Sequence, residues 1–256
     1  QMKVERGVCA GECLACLGKR SWVRFAGDSN CRDIFVEAVS CVLEDIEPDV
    51  PAARERTKHS NCSIPLASGG QIDFIWSKTI EEVTSAAREL LHAVQRRAVR
   101  GEEAVLVLGF GVWDIVVHLT PLETFLQRLQ PLFGVIRALS SAGVKVMWLS
   151  PIPRTMEKKG VLTGELDVSV GQWRILRWIR RIAPHIILAG GQVIDAFNPA
   201  NAFHEAFDGN HLGIACAWAP PPPSGPFPGG AGICRSNGRV LARTVLNSLL
   251  GVVCEV

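Results

Sequence analysis

Three residues in this chain are of the types, and in the order, that acyl transfer needs: Ser29, Asp208 and His211. A serine hydroxyl is inert at neutral pH unless a base takes its proton, and an imidazole is suited to that task. In Phe207-Asp208-Gly209-Asn210-His211-Leu212 a carboxylate stands three residues before a histidine. From one short loop it can fix the imidazole tautomer and stabilise its charge. Ser29 lies in Phe25-Ala26-Gly27-Asp28-Ser29-Asn30-Cys31-Arg32. Gly-Asp-Ser is also a common turn and N-cap sequence, so its pairing with the late Asp-x-x-His carries the chemical reading. The competing histidines are His59, His92, His118, His185 and His204, of which only His204 rivals His211 by location.

The elements around these residues must position them. Trp22-Val23-Arg24-Phe25 reads as a buried strand. From Arg32 to Asp45 and just beyond, Ile34, Phe35, Ala38, Val39, Val42, Leu43 and Ile46 recur at helical spacing. Ser29 is thus expected on a tight strand-to-helix turn, where the free N–H groups of a helix end face a developing oxyanion. A second strand runs into a glycine-rich loop at Val107-Leu108-Gly109-Phe110-Gly111-Val112-Trp113-Asp114. The expected oxyanion donors are the backbone N–H of Ser29 and that of Gly109 or Gly111.

Serine early and Asp-x-x-His late is the order of the SGNH, or GDSL-type, hydrolases, which this chain resembles. It is most similar to the PC-esterase-like branch, which includes sialate O-acetyltransferases and trichome-birefringence-like polysaccharide acetyltransferases. That branch carries Gly-Asp-Ser-x-x-Arg, a middle Gly-x-Trp and a closing Asp-x-x-His. Here these are Gly27-Asp28-Ser29 with Arg32, Gly111-Val112-Trp113, and Asp208 with His211. The resemblance runs from about Trp22 to Gly213. It implies a flavodoxin-like SGNH fold, a three-layer α/β sandwich on a mostly parallel five-stranded sheet. It also implies an esterase or transferase acting on carbohydrate O-acetyl groups through an acyl-Ser29 intermediate, with no cofactor and no metal. In the middle block the superfamily places an asparagine that donates to the oxyanion, where this chain has Gly109. Losing one such donor costs about 10²–10³ in rate. Arg32, one helical turn past Ser29, is either a surface arginine or a planar donor fork for a sugar hydroxyl or carboxylate. Trp113 is either a core residue or an apolar face for an acetyl group or sugar ring.

Along the chain, a second strand is expected at Gln71–Trp76, after an irregular excursion from Glu47 to Gly70. Further strands are expected at Glu103–Leu108, Val144–Ser150 and His185–Leu188. Helices are expected at Ser77–Val99 with a Thr79/Glu82 capping box, from Thr120 to Ser141, at Val168–Ile182 and at Val240–Leu250. At the second of these starts, Thr120, Pro121 and Glu123 read as N-cap, first helical residue and capping partner. Strands alternating with helices predict parallel βαβ units, helices on both faces and a ligand site beyond the strand C-termini. Residues 1–20 form a cysteine-rich segment and 21–256 a single domain, with a proline- and glycine-rich surface connector at 218–230.

The chain has 256 residues, 48% of them hydrophobic, enough for one sizeable core, and a net charge of +2. Nothing in that balance suggests a nucleic-acid surface, and no run of about 18 apolar residues suggests a membrane span. Gln1 to Gly7 do not read as a signal peptide, and a start on Gln suggests a processed chain or an excerpt. Nine cysteines, at 9, 13, 16, 31, 41, 62, 216, 234 and 254, together with the Asn61-Cys62-Ser63 sequon, favour an oxidising compartment. The protein is therefore expected to be secreted or lumenal, with most cysteines paired and the two end clusters stapled to each other. The odd count leaves at least one thiol free, or paired with another chain as a protein partner.

Cys9, Cys13 and Cys16 also match the three-thiolate spacing of radical S-adenosylmethionine enzymes, and Cys13/Cys16 could serve zinc. Their position before the first strand, with no second zinc pair, favours disulfides. The lead expectation is an enzyme whose substrate is an acetylated glycan or an acetyl donor. The alternative is an inactive module that keeps the fold and binds a glycan or protein.

Overall fold

The computed structural model describes residues 20, 22–42, 60–66, 69–96, 100–152, 168–202 and 230–254. The sheet has six strands: β1 (Trp22–Gly27), β2 (Cys62–Pro65), β3 (Gln71–Trp76), β4 (Ala104–Gly109), β5 (Lys145–Leu149) and β6 (Gln192–Ile194). The helices are α1 (Ser29–Val42), α2 (Ile80–Gln95), α3 (Leu122–Ser141), α4 (Val168–Leu188), α5 (Phe197–Ala202) and α6 (Gly230–Cys254). The spatial order is β2-β3-β1-β4-β5-β6. Only β2 is antiparallel, pairing with β3 at the edge. The parallel strands, counted along the chain, therefore lie 2-1-3-4-5, a doubly wound order. Its direction reverses between β1 and β4, and a crevice opens there beyond the strand ends.

Alternation along the strands explains the two apolar layers. Val23, Phe25, Val105, Val107, Met147 and Leu149 pack with α1 and α6 on one face. Ala26, Leu106, Leu108, Val146 and Trp148 pack with α2, α3 and α4 on the other. Arg24 sits inside the central strand, 5% exposed. It is held there because Asp73, its register partner on β3, accepts from its guanidinium at 3.0 Å. Ala86 O and Glu89 Oε2 accept from its Nη1 at 3.0 and 3.1 Å, and the Trp22 indole N–H donates to Asp73 Oδ2. A buried charge persists when its donors are matched in this way.

The expected strands over 71–76, about 103–108 and 144–150 form, and so does the Thr79/Glu82 capping box of α2. Three expectations are corrected. His185–Leu188 is the last turn of α4, and the final strand is Gln192–Ile194. Pro184 lies inside that helix. It forfeits one backbone bond, while buried Ile175, Trp178, Ile182 and Ile186 keep the stripe that holds the helix to the sheet. The five-stranded sheet gains a sixth strand, β2, from the stretch read as irregular; Pro65 ends it at the sheet edge, where a missing N–H costs nothing. Thr120 does not cap α3. Pro121 holds the N-cap with no side-chain bond, because the Thr120 backbone N–H donates to Asp114 O and its carbonyl accepts from Arg174.

Residues 1–19, including Cys9, Cys13 and Cys16, and the connector 218–229 lie outside the described residues. Cys31 is a buried free thiol. Cys254 is disulfide-bonded. Among the described residues no helix is long and apolar enough to cross a membrane.

Candidate functional site

The crevice at the reversal of strand order is built by three backbone turns. The first follows β1. Asp28 caps α1, its Oδ1 accepting the Asn30 N–H at 2.9 Å and its carbonyl accepting the Arg32 N–H at 3.0 Å. Ser29 is thereby the first residue of α1 and half-buried, at the carboxyl end of the central strand. Its hydroxyl makes no hydrogen bond among the described residues. The second turn follows β4. The Asp28 N–H donates to Gly109 O at 3.2 Å, which ties the two turns together. In a strand the N–H and C=O of one residue face the same neighbour, so the Gly109 amide faces β1. Gly111, at φ +112°, carries the chain out of the strand and packs by Pro151. A side chain there would be strained. The third turn follows β5. Ser150 Oγ accepts the N–H groups of Ala196 and Phe197 at 2.9 and 3.1 Å and so fixes the entry to α5.

The closeness of the first two turns demands glycine. A Cβ on Gly27 would collide with Gly109 O, and one on Gly109 would lie 2.5 Å from Cys31 Cβ and 3.0 Å from its Sγ. Cys31 thus fills the space into which a side chain at 109 would project. Its thiol pKa is raised well above 9.0, first by burial and then by the charges of Asp28 and Asp33. It remains a neutral thiol and is unsuited to be a nucleophile.

The crevice is shallow, with about 20 Å³ of space open to a water-sized molecule. Its polar lining comes from Asp28, Asn30 and Ser150, and its apolar lining includes Cys31, Ile34, Leu149, Ile152 and Ala196. Of the expected site residues, Gly109 lines this crevice, while Ser29 and Gly111 do not, although the neighbours of each, Asp28 and Asn30, Phe110 and Val112, do. Trp113 opens a π-helical turn over Trp113–Val117 and is half-buried, with Lys78 Nζ 5.8 Å from its ring centroid. Since β1 lies between β3 and β4, that contact reaches past the end of the central strand. Arg32 is 5% exposed and spends its Nε and Nη2 on Asp33 Oδ1, at 3.3 and 3.1 Å. It is not among the crevice-lining residues. Asn61 is exposed, and its Oδ1 accepts the Trp76 N–H at 2.9 Å. Asp208 and His211 lie outside the described residues.

No family model matches the chain, and no curated protein matches it.

Behind the second turn stands a charged group absent from the sequence reading. Arg128 of α3 is bidentate to Glu81 of α2 at 2.7 and 2.8 Å and donates to Asp114 Oδ1 at 3.0 Å. Asp114 is 1% exposed, and its Oδ2 is buried without a partner among the described residues. Burial raises its pKa, against the pull of the Arg128 and His118 charges, whereas the Arg128 hydrogen bonds lower that of Glu81. The network locks the π-helical turn to two helices and so fixes the loop that carries Gly111. Trp113-Asp114 was visible as a motif, but its partners come from helices 33 and 14 residues away in sequence, which no local pattern announces. Among the described residues no group of three His, Cys, Asp or Glu side chains could hold a metal.

Proposed function

We propose that this chain is an SGNH-type serine esterase or O-acetyltransferase acting on carbohydrate O-acyl groups. The observation that supports it most is the place of Ser29. It is the first residue of a helix at the carboxyl edge of the central strand, beside the strand with which the winding order reverses. In this reading its hydroxyl attacks an ester carbonyl, and the Ser29 N–H donates to the developing oxyanion. Gly111 supplies the second backbone donor, because the Gly109 amide faces β1. In this reading His211 takes the Ser29 proton as the oxygen attacks, Asp208 stabilises the imidazolium, and His211 returns the proton to the departing sugar oxygen. The acyl-Ser29 ester is then cleaved by water or by a second hydroxyl. The apolar crevice wall of Ile34, Leu149, Ile152 and Ala196 suits a short acyl chain.

A second reading, a non-catalytic module that binds a glycan or protein, is favoured by one observation. Cys31 occupies the space of the missing side chain at 109, so no side-chain oxyanion donor comes from there. A fluorophosphonate probe separates the two. Covalent labelling of Ser29, lost in Ser29→Ala and strongly slowed in His211→Ala, is the expected result. Folded protein that stays unlabelled would rule out the enzyme and leave the module.

A further inference from the structure

We infer that the outward face of α4 is a binding surface for an acidic polysaccharide, on which Arg177 and Arg180 pair with carboxylate or sulfate groups and Trp173 stacks on a sugar ring. Naming that polymer as the chain that carries the ester rests on the reading of Ser29 as the acyl-accepting residue; the surface itself does not. Four observations lead to it. Over Val168–Leu188 the helix has four arginines and no acidic residue. At 3.6 residues per turn, Trp173, Arg177 and Arg180 fall on one exposed stripe, opposite buried Ile175, Ile182 and Ile186, and Trp173 is 67% exposed. Arg177 and Arg180 make no hydrogen bond, ion pair or ring contact among the described residues, and Arg181 beside them meets Glu123 in an exposed pair at 3.3 Å. Finally, Arg174, next to Trp173, donates to Thr120 O at 2.8 Å. That bond sets the Trp173 end of the face against the loop after β4, at the edge of the sheet where Ser29 stands.

Single exposed arginines are ordinary, but a helix with four of them and no carboxylate of its own attracts a polyanion. Each guanidinium offers a planar fork that matches two oxygens of a carboxylate or sulfate. An exposed indole offers a sugar its apolar face. From Trp173 to Arg180 is about 10 Å along the helix, so one extended chain meets all three. Other occupants fit less well. A helix that lies in a membrane surface turns a continuous apolar face to the lipid. Here arginines hold the middle of the exposed stripe, and the exposed aliphatic residues, Ile187 and Leu188, stand at its far end. A second copy would set arginines against arginines. Nucleic-acid-binding domains carry a large basic surplus, and the net charge here is +2.

The test uses the full chain carrying Ser29→Ala, so that binding is read apart from turnover. The ligands are polygalacturonate for carboxylates, dextran sulfate for sulfates, and carboxyl-reduced polygalacturonate as a neutral counterpart. The expected result is binding to an acidic polymer, absent for the neutral one and weakened as salt rises. Arg177→Gln with Arg180→Gln should lower that affinity about tenfold, and Trp173→Ala should lower it as well. The same loss of charge at exposed positions of α2 and its C-cap, Arg88→Gln with Arg96→Gln, should leave it unchanged. Equal weakening by the two pairs would reduce the effect to net charge and overturn the inference, as would binding to neither acidic polymer. Tighter binding to oligothymidylate, or to vesicles of phosphatidylcholine and phosphatidylserine in equal parts, would overturn it in favour of another polyanion. With Ser29 intact, the Arg177/Arg180 pair of substitutions should raise KM for the acetylated form of the bound polymer while kcat holds. An unchanged KM would overturn the link between this surface and the ester-bearing chain. Site-dependent binding without any turnover or fluorophosphonate labelling would sustain the surface while removing the enzymatic reading.

Discussion

Gly109 and Cys31 form a pair whose sizes are set against each other. Alanine at 109 would bring its Cβ to 2.5 Å from Cys31 Cβ, a contact that the first turn of α1 cannot relieve by a rotamer change. Gly109→Ala is therefore expected to cost about 1–3 kcal/mol. Cys31→Gly should recover part of that cost in the double variant, beyond its own helix penalty of about 1 kcal/mol. Additive losses in a double-mutant cycle of urea melts would show that the two sites do not touch. The thiol makes a second prediction. Its pKa is raised in the folded state, so between the unfolded value, near 9.0, and the folded value the native chain holds a proton that the unfolded chain has lost. Stability from this group is full below about pH 9.0 and falls as pH rises through the window. Melting temperatures from pH 7.5 to 10.5 should decline more steeply for the native sequence than for Cys31→Ala. Parallel declines would remove Cys31 as the cause.

At the scale of elements, α4 carries a sharper expectation. Pro184 is exposed and interior to the helix, so the Arg180 carbonyl lacks its partner. An interior proline costs about 3 kcal/mol, while its stiffness in the unfolded chain returns about 1 kcal/mol. Pro184→Ala should therefore stabilise the protein by roughly 2 kcal/mol, seen as a higher urea midpoint at unchanged slope. A lower midpoint would mean that the ring makes a contact that the helix needs.

The same proline explains what local pattern hid. Ile186-Ile187-Leu188 after a proline has the composition of a strand, yet Ile187 and Leu188 are 60% and 78% exposed at a helix end. The strand that replaces it has only three residues, too few for any alternation to register. Likewise β2 is four residues long, and it is ordered by pairing with β3, which a local reading does not see. The turn bearing Ser29 was legible because a buried strand and an amphipathic helix abut there without a linker. So was the α2 cap, where Thr79 and Glu82 fulfil a spacing rule. Asn30 and Cys31 gave no signal of their own; their place in the crevice follows from the approach of β4, which is set by packing across 78 positions of sequence.

For the whole molecule, the question is how its two ends are joined. The last carbonyls of α6 face the amino edge of the sheet, opposite Ser29. Arg20 Nη2 donates to Val253 O at 2.6 Å, and Lys145 Nζ donates to Val252 O and Val253 O at 3.3 and 3.1 Å. Two cations at a helix C-terminus oppose its dipole favourably. They also place the chain just before β1 against the residue next to disulfide-bonded Cys254. Cys16 is four residues from Arg20, a span of at most about 14 Å, so the N-terminal cluster is within reach of Cys254. The expected bond therefore joins that cluster to Cys254 and closes nearly the entire chain. In the chain-entropy account so long a loop contributes ~4–5 kcal/mol, less any strain. Reduction, or Cys254→Ser, should lower the melting temperature by several degrees, and a non-reducing peptide map should link a peptide containing Cys9, Cys13 or Cys16 to the C-terminal one. Secretion is the corollary, because such bonds persist where the surroundings are oxidising. Asn61, exposed beside the edge strand, should then carry a glycan, read as a mass increment on its peptide. Nine titratable thiols in denatured, unreduced protein would defeat both the staple and the compartment it implies, whereas a cross-link from Cys254 to Cys41 or Cys234 would overturn the staple alone.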